Sequence, residues 1–181
     1  ENKIISMGAL AHVLHLKRMD RGAISFHRTE AKAYIDEAGV VSIEKRKGDI
    51  GHRLIEEAML LCNETIAKHF MNKNIPFLYR THHAPSNEKI DDFSKFIERY
   101  GMAYEFPEVL KSSDIQNYLK SIEMKPEYMT FQFYLLRCMM QAKYEPNCLG
   151  HFGLAADYYT HFTSPIRRYP DLMIHRVVKA Y

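Results

Sequence analysis

The chain contains no tryptophan, only three cysteines and no apolar run approaching a membrane span. Cys62, Cys138 and Cys148 are odd in number and form no CxxC pair. A disulfide framework and a cysteine zinc site are therefore disfavoured, and a reducing cytoplasmic setting fits. Without roughly 18 consecutive apolar residues no segment reads as a transmembrane helix, and no signal peptide opens the chain. Excess charge is scarce too: 25 Lys and Arg stand against 22 Asp and Glu, for a formal net charge of +3. So small a balance does not demand a nucleic-acid partner, and any basic site must be local. No repeat, low-complexity tract or convincing linker is present. What remains is ordinary globular sequence, 181 residues with 46% hydrophobic and 26% charged, enough for one domain. The chain starts without Met and stops at Tyr181 inside a helical pattern, so the expectation is a piece of something longer.

Periodicity predicts the elements. Helical spacing covers residues 5–19, closed by Asp20, Arg21 and Gly22. Residues 22–27 and 31–36 alternate like strands, and a turn at 36–39 leads into 40–45, which predicts an antiparallel unit. Asp49 is placed to cap a long helix running to about Met71. Residues 75–80 read as a short strand. Asn87 opens a helix to about Tyr100, stopped by Gly101, and a weaker helix covers about 113–121. Pro126 suits the first position of a helix over 126–142. Residues 143–162 carry a proline and two glycines and read as loop with short strands. The class is mixed α/β, helix-rich.

At about 100° per residue, Leu54, Ile55, Ala58, Leu61, Cys62 and Ile66 form an apolar stripe on the 49–71 helix. Glu57, Glu64 and Lys68 fall on the solvated face, Glu64 and Lys68 as a favourable i,i+4 pair. Glu56 falls with Leu60, Asn63 and Ala67 on a half-apolar stripe, where a carboxylate and an amide need partners. They read either as a structural hydrogen-bond pair or as polar groups facing a ligand cleft. Phe26 alternates with Ile24 and is either core or a stacking platform for a base. Arg80, His82 and His83 share one loop. Adjacent histidines on extended chain point apart and make a poor metal pair, so local hydrogen bonding is the better reading.

The sequence YTHFTSPIRRYPDLMIHR, residues 159–176, carries the strongest local signal. Ser164 before Pro165 is a helix start. Pro170 disfavours helical conformation at Tyr169, which predicts a short turn and then a new helix from Pro170. Arg167 and Arg168 then sit in the turn beside a helix N-terminus, a setting suited to phosphate. The alternative is an arginine pair tied to the protein's own carboxylates.

That stretch, with GHFGL at 150–154, resembles the C-terminal signature of the RNB-domain exoribonucleases, the ribonuclease R and ribonuclease II family, and its form is nearer to ribonuclease R. RGAISF (21–26), HRLIEEAMLLCN (52–63), LYRTHHAPS (78–86) and LLRCMMQAKY (135–144) resemble further family segments in order and spacing. The resemblance implies roughly the second half of an RNB domain over residues 1–181, without the metal-binding half or the flanking cold-shock and S1 domains. It implies processive hydrolysis of RNA from the 3′ end of a single strand to nucleoside 5′-monophosphates by a two-metal mechanism. The magnesium ligands, a cluster of aspartates, have no match here: Asp91 and Asp92 lie on a helix with the wrong flanks. Carried over by position, Arg167 matches the arginine that contacts phosphate near the scissile bond. Glu56 matches a glutamate that meets the sugar near the 3′ end, and Phe26 an aromatic that stacks on terminal bases. Arg168 and Tyr159 join them as RNA-contacting candidates, although Arg168, Tyr169, Asp171, His175 and Arg176 are also placed to hold the turn. The isolated chain is expected to be inactive and to self-associate through surfaces its missing half would cover. The rivals are a catalytically dead RNA-binding or regulatory module and a protein-interaction domain that has lost the RNA path.

Overall fold

A computed structural model describes residues 2–26, 30–35, 39–46 and 50–181. Helix α1 (Asn2–Asp20) is followed by a hairpin of β1 (Glu30–Ile35) and β2 (Val41–Arg46), then by the long helix α2 (Ile50–Asn72). Strand β3 (Tyr79–Thr81) leads to α3 (Asn87–Glu98), α4 (Ser112–Ser121) and α5 (Tyr128–Cys138). Strand β4 (Lys143–Glu145), a 3-10 turn (Phe152–Leu154) and α6 (Tyr169–Ala180) complete the described elements. Both sheets are two-stranded and antiparallel, β1 with β2 and β3 with β4. The expected helix-rich α/β class and the antiparallel unit are both present.

Two cores hold these elements. The larger follows the spacing of α3, where Ile90, Phe93 and Ile97 fall on one face and meet Ile115, Tyr118 and Leu119 of α4 and Phe131 and Leu135 of α5. Phe93 and Tyr118 pack edge to face, with ring centroids 5.5 Å apart at 87°. The smaller joins Ala67 and Phe70 of α2 to Phe77, Tyr79 and Ile174 of α6, with Phe70 and Phe77 stacked at 4.5 Å. The chain between β4 and α6 is hydrogen-bonded to both halves. Ile24 N–H donates to Gly153 O at 3.0 Å, Phe152 N–H to His82 O at 2.8 Å, and Arg80 N–H to Tyr159 O at 2.9 Å.

Three expectations are corrected. Residues 23–26 are not a strand: Gly22, at φ +97°, turns the chain sharply out of α1, and none of the described strands pairs with this segment. The Gln116 amide instead donates to Met19 O and Ala23 O at 3.0 and 3.1 Å, holding the turn against α4. Helix α5 is shorter than 126–142. It starts after turns closed by Lys125 N–H to Ile122 O and Tyr128 N–H to Lys125 O, and it ends where Met139 turns extended (ψ 143°). Helix α2 buries the wrong stripe for an apolar reading. Glu57, Asn63, Ala67 and Phe70 face inward, whereas Ile55 and Leu61 are 56% and 45% exposed. The reason is the neighbour: α1 offers α2 the polar groups of His15 and Arg18. The Asp49 cap and His27 lie outside the described residues.

Candidate nucleic-acid interface

The two prolines act as the sequence implies. Pro165, Ile166 and Arg167 form a turn, Arg168 is the extended N-cap (φ −128°), and α6 begins at Tyr169 with Pro170 in its first turn. Arg167 is exposed, and its guanidinium makes no hydrogen bond or ion pair with another described residue. Ile166 and Tyr169 flank it, exposed at the tip.

The turn is rigid because Asp171 braces it. This carboxylate is fully buried. Its Oδ2 accepts from Ser164 N–H at 2.8 Å and from Arg168 Nε and Nη2 at 3.1 and 2.7 Å. An acidic group in the first turn also suits the helix dipole. Arg168 is thereby neutralised internally, the alternative reading for the arginine pair, while Arg167 is left without a counter-charge among the described residues. A second brace comes from α2. Asn63 is buried, its Nδ2 donates to Tyr159 Oη at 3.2 Å, and its Oδ1 accepts from Phe162 N–H at 2.9 Å. Thr160 Oγ1 donates to Leu78 O at 2.7 Å, and His175 Nε2 donates to Phe162 O at 2.9 Å while stacking on the Phe162 ring.

Tyr159 is only 6% exposed. Its ring lies against His151 and His161 and offers little surface to a nucleotide. Glu56 and Glu57 exchange the environments expected of them. Glu57 is 2% exposed and its Oε1 lies 2.6 Å from Arg18 Nη2 and 3.0 Å from His15 Nδ1. Glu56 is 58% exposed, 3.6 Å from Arg18 Nη2. Phe26 is partly buried and packs against the larger core. Neither Glu56 nor Phe26 is joined to the arginine turn by a hydrogen bond, ion pair or ring contact among the described residues.

Residues to which sequence reading gave no site role gather at His161, in the segment that leads into the turn. Tyr144 Oη lies 2.7 Å from His161 Nδ1, and the Arg80 guanidinium sits 4.6 Å over the Tyr144 ring. Nothing local foretells this group, since β3, β4 and the 159–162 segment meet only in the fold. Asn63 did carry a signal, an amide on a half-apolar stripe that needs partners.

The histidines beneath are held neutral. His82 donates from Nε2 to Met140 O at 2.8 Å and accepts at Nδ1 from Gly153 N–H at 3.0 Å, so both ring nitrogens are committed. Burial lowers its pKa. Burial, reinforced by His82, pushes His151 down to about 3. Burial and then the Arg168 charge push His161 to about 4. In the unfolded chain each titrates near about 6.5. A lowered folded value means that the unfolded state binds protons first. The stability these rings contribute is complete above about pH 6.5 and declines as pH falls towards 4. We expect the urea midpoint to drop steadily over that window, and His151→Gln to flatten the slope. An unchanged slope in that variant would remove His151 from the account.

On the metal question, no group of three or more His, Cys, Asp or Glu side chains comes together as a donor set among the described residues. Asp92 pairs with Lys95 at 3.8 Å and is well exposed.

The RNB domain family matches residues 1–181. Ribonuclease R 1 of Lactococcus lactis is 44% identical over 175 residues, which is 96% of this chain and 21% of that protein. Ribonuclease R of Escherichia coli is 40% identical over 171 residues, 94% of this chain and 21% of that protein. This chain thus spans about a fifth of the length of these relatives. Among solved structures, Mycoplasma genitalium RNase R in complex with ribose methylated single-stranded RNA superposes with a TM-score of 0.90 at 32% identity, covering 99% of this chain and 28% of that one. Yeast Ssd1, a pseudonuclease, superposes at 0.62 with 27% identity over 74% of this chain and 17% of that one. With its motifs, its fold and a match over its whole length in agreement, the chain belongs to the RNB domain family.

Proposed function

We propose that the protein containing this chain is a cytoplasmic, ribonuclease R-like exoribonuclease that hydrolyses single-stranded RNA processively from the 3′ end to nucleoside 5′-monophosphates. The observation that carries this reading is the arginine turn. Arg168 is spent on Asp171, and Arg167 stands exposed at a helix N-terminus with no internal counter-charge among the described residues, the arrangement that an RNA phosphate completes. In the same reading Glu56 meets a ribose hydroxyl, which its exposure permits. Phe26 stacks on a base with whatever ring surface the core leaves free. Magnesium and a two-metal step belong to this proposal as chemistry supplied by parts of the protein other than the described residues.

A non-catalytic RNA-binding module is the second reading, favoured by the similarity to a pseudonuclease. One experiment separates the two. The full-length protein is incubated with magnesium and labelled single-stranded RNA. Release of mononucleotides from the 3′ end is expected, and tight binding without release would establish the second reading. The isolated chain should release none. Its exposed apolar side chains on α1, with Ile4 at 71% and Ile5 at 67%, are proposed to drive self-association, so it should sediment above monomer mass.

A further inference from the structure

Arg80 is a cation without an answering charge among the described residues. It occupies the middle of β3, opposite Tyr144 in the β3–β4 register, and it is half-buried. Its Cζ lies 4.6 Å from the Tyr144 ring centroid, which fixes the guanidinium plane against an aromatic face. Among the described residues no carboxylate lies within ion-pair distance of it. The carboxylate beside it on the sheet, Glu145, accepts from Thr81 Oγ1 at 2.6 Å, and Thr81 points to the opposite face from Arg80. Asp171 is engaged by Arg168. Tyr144 cannot serve as the anion, because burial pushes its hydroxyl up. A half-buried, uncompensated guanidinium is costly unless an anion is brought to it.

Arg80 is also tied to the segment that delivers the arginine turn. Its N–H donates to Tyr159 O, and the neighbouring Leu78 O accepts from Thr160 Oγ1. The Tyr144 ring under the Arg80 guanidinium reaches the same segment through its hydroxyl, 2.7 Å from His161 Nδ1. Both Arg80 and Arg167 bear on the His161 ring, helping to keep it neutral after burial and Arg168 have done most of the work.

We propose that Arg80 is a second RNA-backbone arginine, holding a phosphate of the strand next to the one met by Arg167, with the Tyr144–His161 pair as the floor between them. This rests on the RNA-degrading reading above. Arg80 acts in binding and register, through a planar fork that Tyr144 pre-orients.

The test uses the full-length protein, a labelled single-stranded RNA and a chelator to prevent turnover. The dependence of log K on log salt is compared for wild type, Arg80→Met and Arg167→Met, the methionine keeping an apolar stem on Tyr144. Losing one single-strand phosphate contact should reduce the slope by about 0.7, or about eightfold in affinity at 50 mM salt relative to 1 M. An Arg80→Met slope equal to wild type, beside a reduced Arg167→Met slope, would overturn this inference and leave the functional reading intact. A wild-type protein that neither binds nor hydrolyses RNA would sink the functional reading itself. A probe that needs no variant covers the case in which Arg80→Met fails to fold: phenylglyoxal modification of wild type, mapped by peptide mass. Arg80 should be modified without RNA and protected with it. Reactivity that RNA leaves unchanged, or absent in both states, overturns the proposal.

Discussion

Arg167→Ala in the full-length protein is expected to cut RNA turnover by roughly 10²–10³, the size seen for loss of one preorganised donor, while affinity falls far less. Phosphodiester cleavage builds negative charge on the non-bridging and leaving oxygens, and a fixed cation gains most where that charge is largest. The turn supplies the fixity: Asp171 takes the Ser164 N–H and the Arg168 fork, and Asn63 holds the segment leading in. Arg168 cannot replace its neighbour without releasing a buried carboxylate. Binding should survive because other phosphate contacts along the strand remain. Arg167→Lys should recover little, since an ammonium is a point charge and the fork is planar. Single-turnover rates with separately measured affinities decide the matter. Weaker binding with an intact bound-state rate would make Arg167 a positioning residue.

Glu57→Ala should destabilise the fold by about 3–5 kcal/mol, the usual effect of breaking a buried ion pair, whereas Glu56→Ala should stay within about 0.5 kcal/mol. Glu57 is enclosed between α1 and α2 with Arg18 and His15 on its carboxylate. Removing it leaves the Arg18 guanidinium, 12% exposed, without its close partner. Burial alone would raise the Glu57 pKa, but the hydrogen bonds and charges of Arg18 and His15 outweigh it and hold the carboxyl below its usual range. A depressed folded value places this contribution at pH above the unfolded carboxylate range. It is lost as pH falls through the folded value. Urea denaturation of the two variants side by side checks both claims, and equal effects would return Glu56 to the inward face.

Much of this was readable beforehand, for identifiable reasons. Helices α3 and α4 stand where Asn87, Gly101 and the spacing over 113–121 place them, each packing an apolar face against apolar neighbours. The Pro165–Pro170 punctuation fixed a turn and a new helix by sterics alone, and the structure has both. Helix α2 misled because an angular reading assumes that the inward face is the greasy one. Here the facing helix is armed with His15 and Arg18, so the carboxylate went in and Ile55 stayed out. The site was legible in part. Arg167 stands in the turn, as its flanking prolines required. The surroundings of Arg168, Tyr159 and His161 depend on Asp171, Asn63 and Tyr144, and side-chain bonds between distant elements leave no periodic trace.

The turn at Gly22 has a consequence for synthesis. Its stabilising bonds reach far along the chain: Arg21 donates to Leu154 O across 133 positions, Ile24 N–H to Gly153 O, and Gln116 reaches back 97 residues to Met19. A ribosome adding about 5–20 residues per second needs roughly 7–27 seconds to produce Leu154 after Arg21 has been made. Until Leu154 is made the turn lacks this latch, although Gln116 of α4 is already available to hold it. The turn after α1 therefore stays unlatched while the 133 positions from Arg21 to Leu154 are made. The turn is committed to its final path only when the Gly153–Leu154 segment arrives.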